Sequence, residues 1–270
     1  MTTKHIVIVG NSKDMHEIPN QSIHLVITSP PYFNAPFDYK DMFESYEQYL
    51  DLLVNVAKEL YRVLKDGRII VLIIDDMLVN GKKYSIVADV TSIFQKVGFI
   101  YRDRIIWKKP DDYLRILKRR KVIQEHPYPM YFYPDNLTES ILIFQKGKFD
   151  YRSISQNIRN ESMIDLKEFN EKKMYSTLWE IRNVMPNSIL EKGIAAFPEE
   201  IPSRFVQLFS YKGEIVLDPF LGSGTTTKIA RLLGRSSIGI ELNESLLPII
   251  IKKCGFNNLD GDYYRIIRRD

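Results

Sequence analysis

The chain has 270 residues, 44% of them hydrophobic and 27% charged, which excludes a disordered protein and allows a substantial core. Its single cysteine, Cys254, excludes an internal disulfide framework. Its first apolar run, Ile6–Val9, is too short for a signal-peptide core or a membrane span, so we expect a cytoplasmic protein. The formal net charge is +4, and the segment from Lys108 to Lys121 alone carries seven basic and two acidic residues. Such local concentration favours a polyanionic partner.

The first hundred residues alternate between predicted strands and helices. The predicted strands are His5–Val9, Ile23–Ile27, Arg68–Ile74 and Ile100–Trp107. A capping box at Ser45 and Gln48 predicts a helix that ends at Asp66-Gly67. A second helix is predicted through Ile86 and Val97, with Gly98 following its last turn. This alternation predicts an α/β fold in which crossover helices connect the strands of a parallel sheet.

The alternation lapses from Pro110 to about Trp179, where the sequence is basic, aromatic and irregular. One strand is predicted there, Ser140–Gln145, and a polar helix around Met163–Tyr175. We interpret this part as an inserted recognition region. Alternation then resumes with the helix Glu199–Phe209, the strand Glu214–Leu217, a helix starting near Gly224, the strand Ser237–Ile240 and the helix Glu244–Lys253.

Two loops carry the sharpest functional signal. The proline turn, Ser29-Pro30-Pro31-Tyr32, follows the apolar run Leu25–Ile27, and the glycine loop, Asp218–Thr226, follows Ile215–Leu217. Both therefore begin at the carboxyl end of a buried strand. Ligands bind at that edge of an open α/β sheet. Together the two loops suggest methyl transfer.

The glycine loop suits a nucleoside ligand. Gly222 and Gly224 let backbone approach a ligand closely, and Glu241 at the tip of the next strand can bind ribose hydroxyls. The third glycine of a dinucleotide fingerprint is missing, because Thr227 takes its place, and the loop lacks a P-loop lysine. The carboxylate of Asp218 would repel phosphate but suit the amino and sulfonium groups of S-adenosylmethionine. The alternative is an ordinary strand-to-helix turn.

The proline turn suits an exocyclic amino group. Pro30 and Pro31 remove two backbone donors, so the turn presents carbonyl oxygens and the Ser29 hydroxyl as acceptors. Accepting both N–H hydrogens of a base amino group would favour a pyramidal nitrogen with an available lone pair. Tyr32 offers a flat face for a base taken out of the stack. The alternative is a rigid connection without chemistry.

With these motifs the sequence resembles the amino-group DNA methyltransferases, in the permuted subgroup that has the catalytic turn before the cofactor loop. Thr28–Tyr32 is similar to the catalytic signature of that family and Asp218–Thr226 to its cofactor signature. Ile106–Pro110 resembles the segment that closes the catalytic half. The resemblance implies a Rossmann-like S-adenosylmethionine-dependent methyltransferase fold, a mostly parallel doubly wound sheet with an inserted target-recognition region. It divides the chain into a catalytic half, 1–109, a recognition region, 110–190, and a cofactor-binding half, 191–270.

The resemblance also implies the site residues. The catalytic residues are Ser29, Pro30, Pro31 and Tyr32. The cofactor-binding residues are Asn11, Phe197, Pro198, Asp218, Pro219, Phe220, Gly222, Ser223, Gly224, Thr225 and Glu241. In the family Gly-Asp usually follows the first strand, and this chain has Gly10-Asn11 instead, which gives the adenine amino group a neutral partner.

The target atom is predicted by exclusion and by resemblance. Methylation of cytosine C5 needs a cysteine nucleophile, and Cys254 lies beside no proline turn. Family members with Ser at the first position of the turn are mostly cytosine-N4 enzymes, so Ser29 favours cytosine N4 over adenine N6. Three further alternatives stay open: an RNA or protein amide methyltransferase, a non-catalytic DNA-binding module and, more distantly, a dinucleotide oxidoreductase.

The expected partner is double-stranded DNA. The basic run, Lys118-Arg119-Arg120-Lys121, is flanked by tyrosines and is predicted to contact phosphates, with a solvated face as the alternative. A cognate restriction endonuclease acting on the same site is a candidate second partner. The four histidines lack ligand spacing and Cys254 has no second cysteine, so no metal site is predicted.

Overall fold

A computed structural model describes residues 2–35, 42–110, 120–132, 134, 136–183, 197–257 and 261–269; for residues 120 and 121 it describes the backbone alone. Nine of the described strands form one sheet, in the order β11-β1-β10-β9-β2-β3-β7-β6-β8. Their bounds are β1 Lys4–Val9, β2 Ile23–Thr28, β3 Leu64–Ile74, β6 Ile100–Lys108, β7 Thr138–Gln145, β8 Leu178–Glu180, β9 Ile215–Asp218, β10 Ser236–Glu241 and β11 Tyr263–Arg268. A separate hairpin pairs β4, Met77–Val79, with β5, Lys82–Tyr84.

Within the sheet, β7 runs antiparallel to its neighbours β3 and β6, and every other described pairing is parallel. The carboxyl ends of the parallel strands and the amino end of β7 therefore meet at one edge, which we call the carboxyl edge. Loops that leave this edge are the ones that can share a site.

Helices cover both faces of the sheet. Their bounds are α1 Tyr46–Val63, α2 Ile86–Val97, α3 Arg120–Glu125, α4 Gln156–Glu161, α5 Leu166–Glu171, α6 Glu200–Phe209, α7 Thr225–Leu232 and α8 Leu247–Cys254. Successive residues of β2 face opposite sides: Val26 packs in the core with α1 and α2, while Leu25 and Ile27 pack in the core with α6 and α7. The run Leu25–Ile27 is apolar, which fits a strand that is buried on both faces.

Helix α1 shows how local sequence sets an element and how pairing ends it. The Ser45 side chain accepts a hydrogen bond from the Gln48 N–H at 3.2 Å, as the capping box predicts. The helix ends at Val63, before the predicted stop, because Leu64 is already paired with Ile23 of β2. Asp66-Gly67 thus lies inside β3, where Gly67 has a φ of +79°.

The middle of the chain contributes more to the sheet than its irregular composition indicates. β7 lies between β3 and β6, and its Ile141, Leu142 and Ile143 are buried. β8 extends the same sheet beyond β6. Two strands of the segment 110–190, β7 and β8, therefore belong to the central sheet. Among the described residues, no helix combines the length and the apolarity needed to cross a bilayer.

Candidate active site

The glycine loop and the proline turn lie side by side at the carboxyl edge. β2 and β9 are parallel neighbours, with Leu25 opposite Val216 and Val26 opposite Leu217. At their ends the Thr28 hydroxyl donates a hydrogen bond to Asp218 Oδ1 at 2.6 Å. The residue before the proline turn thus contacts the first residue of the glycine loop, although 190 positions separate them in the sequence.

The glycine loop adopts the backbone conformation for which glycine is needed. Gly222 and Gly224 have φ values of +54° and +89°, a region that residues with a Cβ rarely adopt. Gly224 is also closely packed, because a Cβ there would lie 2.8 Å from the sulfur of Cys254 on α8. The loop is therefore held by backbone geometry as well as by packing against α8.

Glu241 connects the end of β10 to the glycine loop. Its Oε2 accepts a hydrogen bond from the Gly222 N–H at 2.8 Å and its Oε1 accepts one from the Asn243 N–H at 2.9 Å. Burial raises the pKa of this carboxyl group, and the backbone N–H donors partly oppose that shift. Each carboxylate oxygen retains a lone pair, so the group can still accept hydrogen bonds from a ligand.

Asp218 is 1% exposed and lies where the two strands meet. Besides the Thr28 hydroxyl, its Oδ1 accepts the Phe220 N–H at 3.1 Å. Burial raises the pKa of Asp218 to about 6, against the hydrogen bonds that favour the ionised form. A cationic ligand group nearby would therefore shift this carboxyl group towards ionisation. Its hydrogen bond with Thr28 also joins the end of β2 to the end of β9.

The remaining predicted cofactor residues surround the same loop. The buried Ser12 hydroxyl donates to the Pro219 carbonyl, and the Lys253 ammonium donates to the Ser223 and Thr225 hydroxyls at 2.8 Å each. Phe220 packs partly buried against the core that contains α1 and α2. Ser12 and Lys253 were not predicted, since neither belongs to a recognisable motif.

Asn11 lies in the turn after β1. Its side-chain oxygen accepts the Lys13 N–H at 3.0 Å, and the side chain is exposed. Arg269 donates to the Asn11 carbonyl at 2.6 Å and binds both carboxylate oxygens of Glu17 at 2.7 Å. The sequence interpretation did not anticipate this arginine clamp on the turn.

The proline turn is largely buried. Pro30, Pro31 and Tyr32 are buried and Ser29 is half-buried. The Tyr32 hydroxyl donates to Glu139 Oε2 at 2.9 Å and lies within hydrogen-bonding reach of the Ser29 hydroxyl. Burial, followed by the neighbouring Glu139 carboxylate, raises the pKa of Tyr32 well above its usual value, so the phenol stays protonated.

Glu139 and Lys109 complete the support of the proline turn. Glu139 lies at the amino end of β7 and forms an ion pair with Lys109, which follows β6. Asp75, just after β3, accepts a hydrogen bond from the Asn136 side chain, and burial raises the pKa of its carboxyl group. The sequence analysis predicted no role for Glu139, Asp75 or Asn136. It included Lys109 only as part of the Ile106–Pro110 segment. Asp75 could have been found by the criterion applied to the two loops, a polar residue directly after a buried strand.

Other predicted residues lie on the α6 side or outside the described part. Phe197 is 8% exposed and packs in the core with α6 and α7, and Pro198 is buried. Beside them Glu199 pairs with Lys228 of α7 at 2.6 Å. In the basic run, Lys118 and Arg119 lie outside the described residues, and Arg120 and Lys121 are described only as backbone at the start of α3.

Residues 23–252, a range that contains both loops, match the N6/N4 family of DNA methylases. The chain belongs to this family. The type II methyltransferase M.MjaI of Methanocaldococcus jannaschii is 34% identical over 287 residues, which cover 94% of this chain and 92% of that protein.

Solved structures agree with this family assignment. TTHA0409 of Thermus thermophilus, in complex with S-adenosyl-L-methionine, is 28% identical with a TM-score of 0.76, over 97% of this chain and 99% of that one. The PvuII DNA methyltransferase, which is cytosine-N4-specific, shares the fold at 20% identity with a TM-score of 0.64, over 97% and 95% of the two chains. The expected α/β fold of the S-adenosylmethionine-dependent DNA methyltransferases, with its mostly parallel sheet, is confirmed.

Proposed function

We propose that this DNA methylase transfers a methyl group from S-adenosylmethionine to the exocyclic amino group of a base flipped out of double-stranded DNA, and that the atom methylated is cytosine N4. Its activity as a DNA methyltransferase with this cofactor follows from its family. The observation that carries the rest of the proposal is the Thr28–Asp218 hydrogen bond, which places the start of the proline turn beside the start of the glycine loop.

The residues of the glycine loop fit S-adenosylmethionine. Two largely buried carboxyl groups, Asp218 and Glu241, have raised pKa values and would be favoured as carboxylates beside a positively charged ligand. The positive φ values of Gly222 and Gly224 leave the backbone open where a nucleoside must approach. We assign Asn11, Phe197, Pro198, Pro219, Phe220, Ser223 and Thr225 to the walls of the same site. When bound, the cofactor supplies an electrophilic methyl group on a sulfonium sulfur.

The proline turn would hold the base. In our proposal Ser29 Oγ and the Pro30 carbonyl accept the two amino hydrogens, so the nitrogen lone pair points away from the turn. Glu139 fixes the Tyr32 hydroxyl, and Lys109 balances the charge of Glu139, so the tyrosine is held in one orientation. After transfer the methylated nitrogen loses its proton to water or to a neighbouring carbonyl. This scheme requires no strong base.

Cytosine N4 is supported by the serine at the first position of the turn. The alternative is adenine N6, because the family includes methylases of both kinds. The proline turn can accept hydrogen bonds from the amino group of either base. The two products differ in the modified nucleoside, which a direct measurement separates.

The test is methylation of plasmid DNA with labelled cofactor, followed by digestion to nucleosides and mass analysis. We expect N4-methylcytosine. Detection of N6-methyladenine instead would show that the methylated atom is adenine N6. Label in RNA or protein but in no DNA would overturn the substrate, and DNA binding without any product would indicate a non-catalytic module.

The DNA-contacting surface is assigned within the same proposal. We retain 1–109 as the catalytic half, 110–190 as the recognition region and 191–270 as the cofactor half, and narrow the recognition surface to the two parts of 110–190 that flank β7. Exchanging Lys118, Arg119, Arg120 and Lys121 for serine should reduce the salt dependence of DNA binding. The slope of log affinity against log salt concentration should become less steep by up to about 0.9 per lost phosphate contact. An unchanged slope would assign the basic run to a solvated face. A cognate restriction endonuclease and a cytoplasmic location belong to the proposal as well.

A further inference from the structure

The connection between β6 and β7 carries an exposed apolar cluster that the proposed reaction has not yet used. Tyr128, Met130, Tyr131 and Phe132, which we call the apolar tip, are 63%, 93%, 48% and 69% exposed. Single exposed apolar residues are ordinary, but four within five positions form the kind of patch that marks an interaction surface.

The backbone of the apolar tip is a strained turn. The Tyr131 N–H donates to the Tyr128 carbonyl at 3.4 Å, Pro129 occupies the second position, and Met130 at the third position has a φ of +75°. This pattern is that of a type II turn, in which the third position favours glycine. Methionine at this position makes the turn less stable than glycine would. Backbone strain of this kind clusters at functional sites.

The connection is rooted at the proposed active site. Its stem is closed by the Lys109 N–H donating to the Leu137 carbonyl at 2.8 Å. The Lys109 ammonium pairs with Glu139, whose other oxygen accepts the Tyr32 hydroxyl. Asn136, next to the same stem, binds Asp75. The apolar tip thus extends from the side chains that hold the proline turn.

The charge of the same connection favours DNA as the partner. Helix α3 leads into the tip and begins within the basic run, and the His126 and Tyr131 rings lie 5.5 Å apart between helix and turn. A surface for a second copy of this chain would not need four consecutive cations shortly before its apolar residues in the sequence. A surface for duplex DNA would use cations for the phosphates and apolar side chains between base steps.

We propose that Met130, supported by Phe132, is a wedge that enters the base stack of the duplex and fills the space left by the flipped base. This inference rests on the proposed function, because it requires a DNA substrate whose target base leaves the helix. Extruding a stacked, paired base is unfavourable by a few kcal/mol, and an inserted apolar side chain offsets part of that.

The turn geometry provides a clean test. Met130→Gly removes the side chain and relieves the positive φ, so its Tm should equal or exceed that of the native protein. The matched control is Leu232→Gly, which removes an apolar side chain that is 64% exposed at the last residue of α7, outside the recognition region. The substrates are two duplexes that carry the site mapped on methylated plasmid: one fully paired, and one with an abasic residue opposite the target base.

We expect Met130→Gly to methylate the paired duplex about tenfold to 100-fold more slowly than the native protein, corresponding to about 1.4–2.8 kcal/mol. On the abasic duplex, where pairing no longer resists extrusion, its rate should return to within about twofold of native. Leu232→Gly should match the native protein on both duplexes.

Native rates for Met130→Gly on the paired duplex, or an equal loss on both duplexes, would overturn the wedge while leaving the methyltransferase in place. A change from dimer to monomer on sedimentation, with both rates preserved, would overturn it in favour of self-association. If the native chain methylates neither duplex nor plasmid, the proposed function itself fails.

Discussion

The glycine loop and the proline turn lie at the ends of neighbouring strands, yet different kinds of contact hold them. Glu241 holds the glycine loop through the backbone N–H of Gly222, and the loop conformation depends on glycine at two positions. Glu139 holds the proline turn through the side chain of Tyr32, and a lysine from another strand balances its charge. The glycine loop is thus held largely through its backbone, and the proline turn through side chains from segments that are distant in the sequence.

The comparison predicts that the two loops can be disabled separately. Ser29→Ala should lower kcat by about 100-fold to 1000-fold, because it removes one preorganised hydrogen-bonding partner of the reacting amino group, and should leave cofactor affinity unchanged. Asp218→Ala should abolish cofactor binding. Stopped-flow or quench kinetics and calorimetric titration with S-adenosylmethionine measure the two effects.

The control for Asp218 is its replacement by asparagine. Asp218→Asn retains an acceptor for the Thr28 hydroxyl and loses only the charge, so it separates the electrostatic contribution from the bridge between β2 and β9. Loss of DNA binding alone in both Ser29→Ala and Asp218→Ala would contradict the roles assigned to the two loops.

The raised pKa of Asp218 predicts a pH dependence with a definite sign. Its pKa is about 6 in the folded protein and ordinarily 3.8, so the stability it contributes is complete below about pH 4 and is lost as the pH rises through 6. Relative to Asp218→Asn, the native free energy of unfolding should fall by about 3 kcal/mol between pH 4 and pH 7. Urea denaturation across this range measures it, and parallel curves for the two proteins would contradict it.

Cofactor affinity should vary with pH in the opposite sense. In our proposal the cationic cofactor binds the ionised form of Asp218, so the Kd for S-adenosylmethionine should rise about tenfold per pH unit below about 6. In Asp218→Asn the affinity should be weaker and should lack this dependence.

Two glycines distinguish packing from backbone conformation. Gly224→Ala should lower stability by about 2–3 kcal/mol, because it combines an unfavourable φ with a contact against Cys254. Gly81→Ala has a similar φ of +79° and open space around it, so it should lower stability by about 1 kcal/mol. Thermal unfolding compares them, and equal Tm values for both variants would show that the contact with α8 is unimportant.

The side-chain support of the proline turn predicts a smaller, coupled effect. Tyr32→Phe and Glu139→Ala each remove one side of the same hydrogen bond, so their effects on kcat should be non-additive by about 1 kcal/mol in a double-mutant cycle. Cofactor KM should stay constant, because the glycine loop does not use this contact. Strict additivity would mean that Glu139 does not act through Tyr32.

The same comparison explains what could be predicted from sequence. The strand predicted at Ile23–Ile27, the helix capped by Ser45 and the strand-to-helix turn at Gly224 follow from local patterns, and all three are found. The place of β7 between β3 and β6 could not be predicted from local patterns, because the sequence of an apolar strand does not specify which strands pair with it. The contact between Glu139 and Tyr32 depends on that placement, and so do the roles of Lys109 and Asn136.

The pairing of β2 with β9 has a consequence for biosynthesis. Strand β2 is made early, but its partner at residues 215–218 emerges from the ribosome only after most of the chain has been translated. Strand pairs with such a large sequence separation form late in folding, because closing the loop between them reduces the conformational entropy of the intervening chain. A partly synthesised chain that lacks β9 therefore cannot bring the proline turn and the glycine loop together. DNA would be methylated only after β9 has been made and has paired with β2.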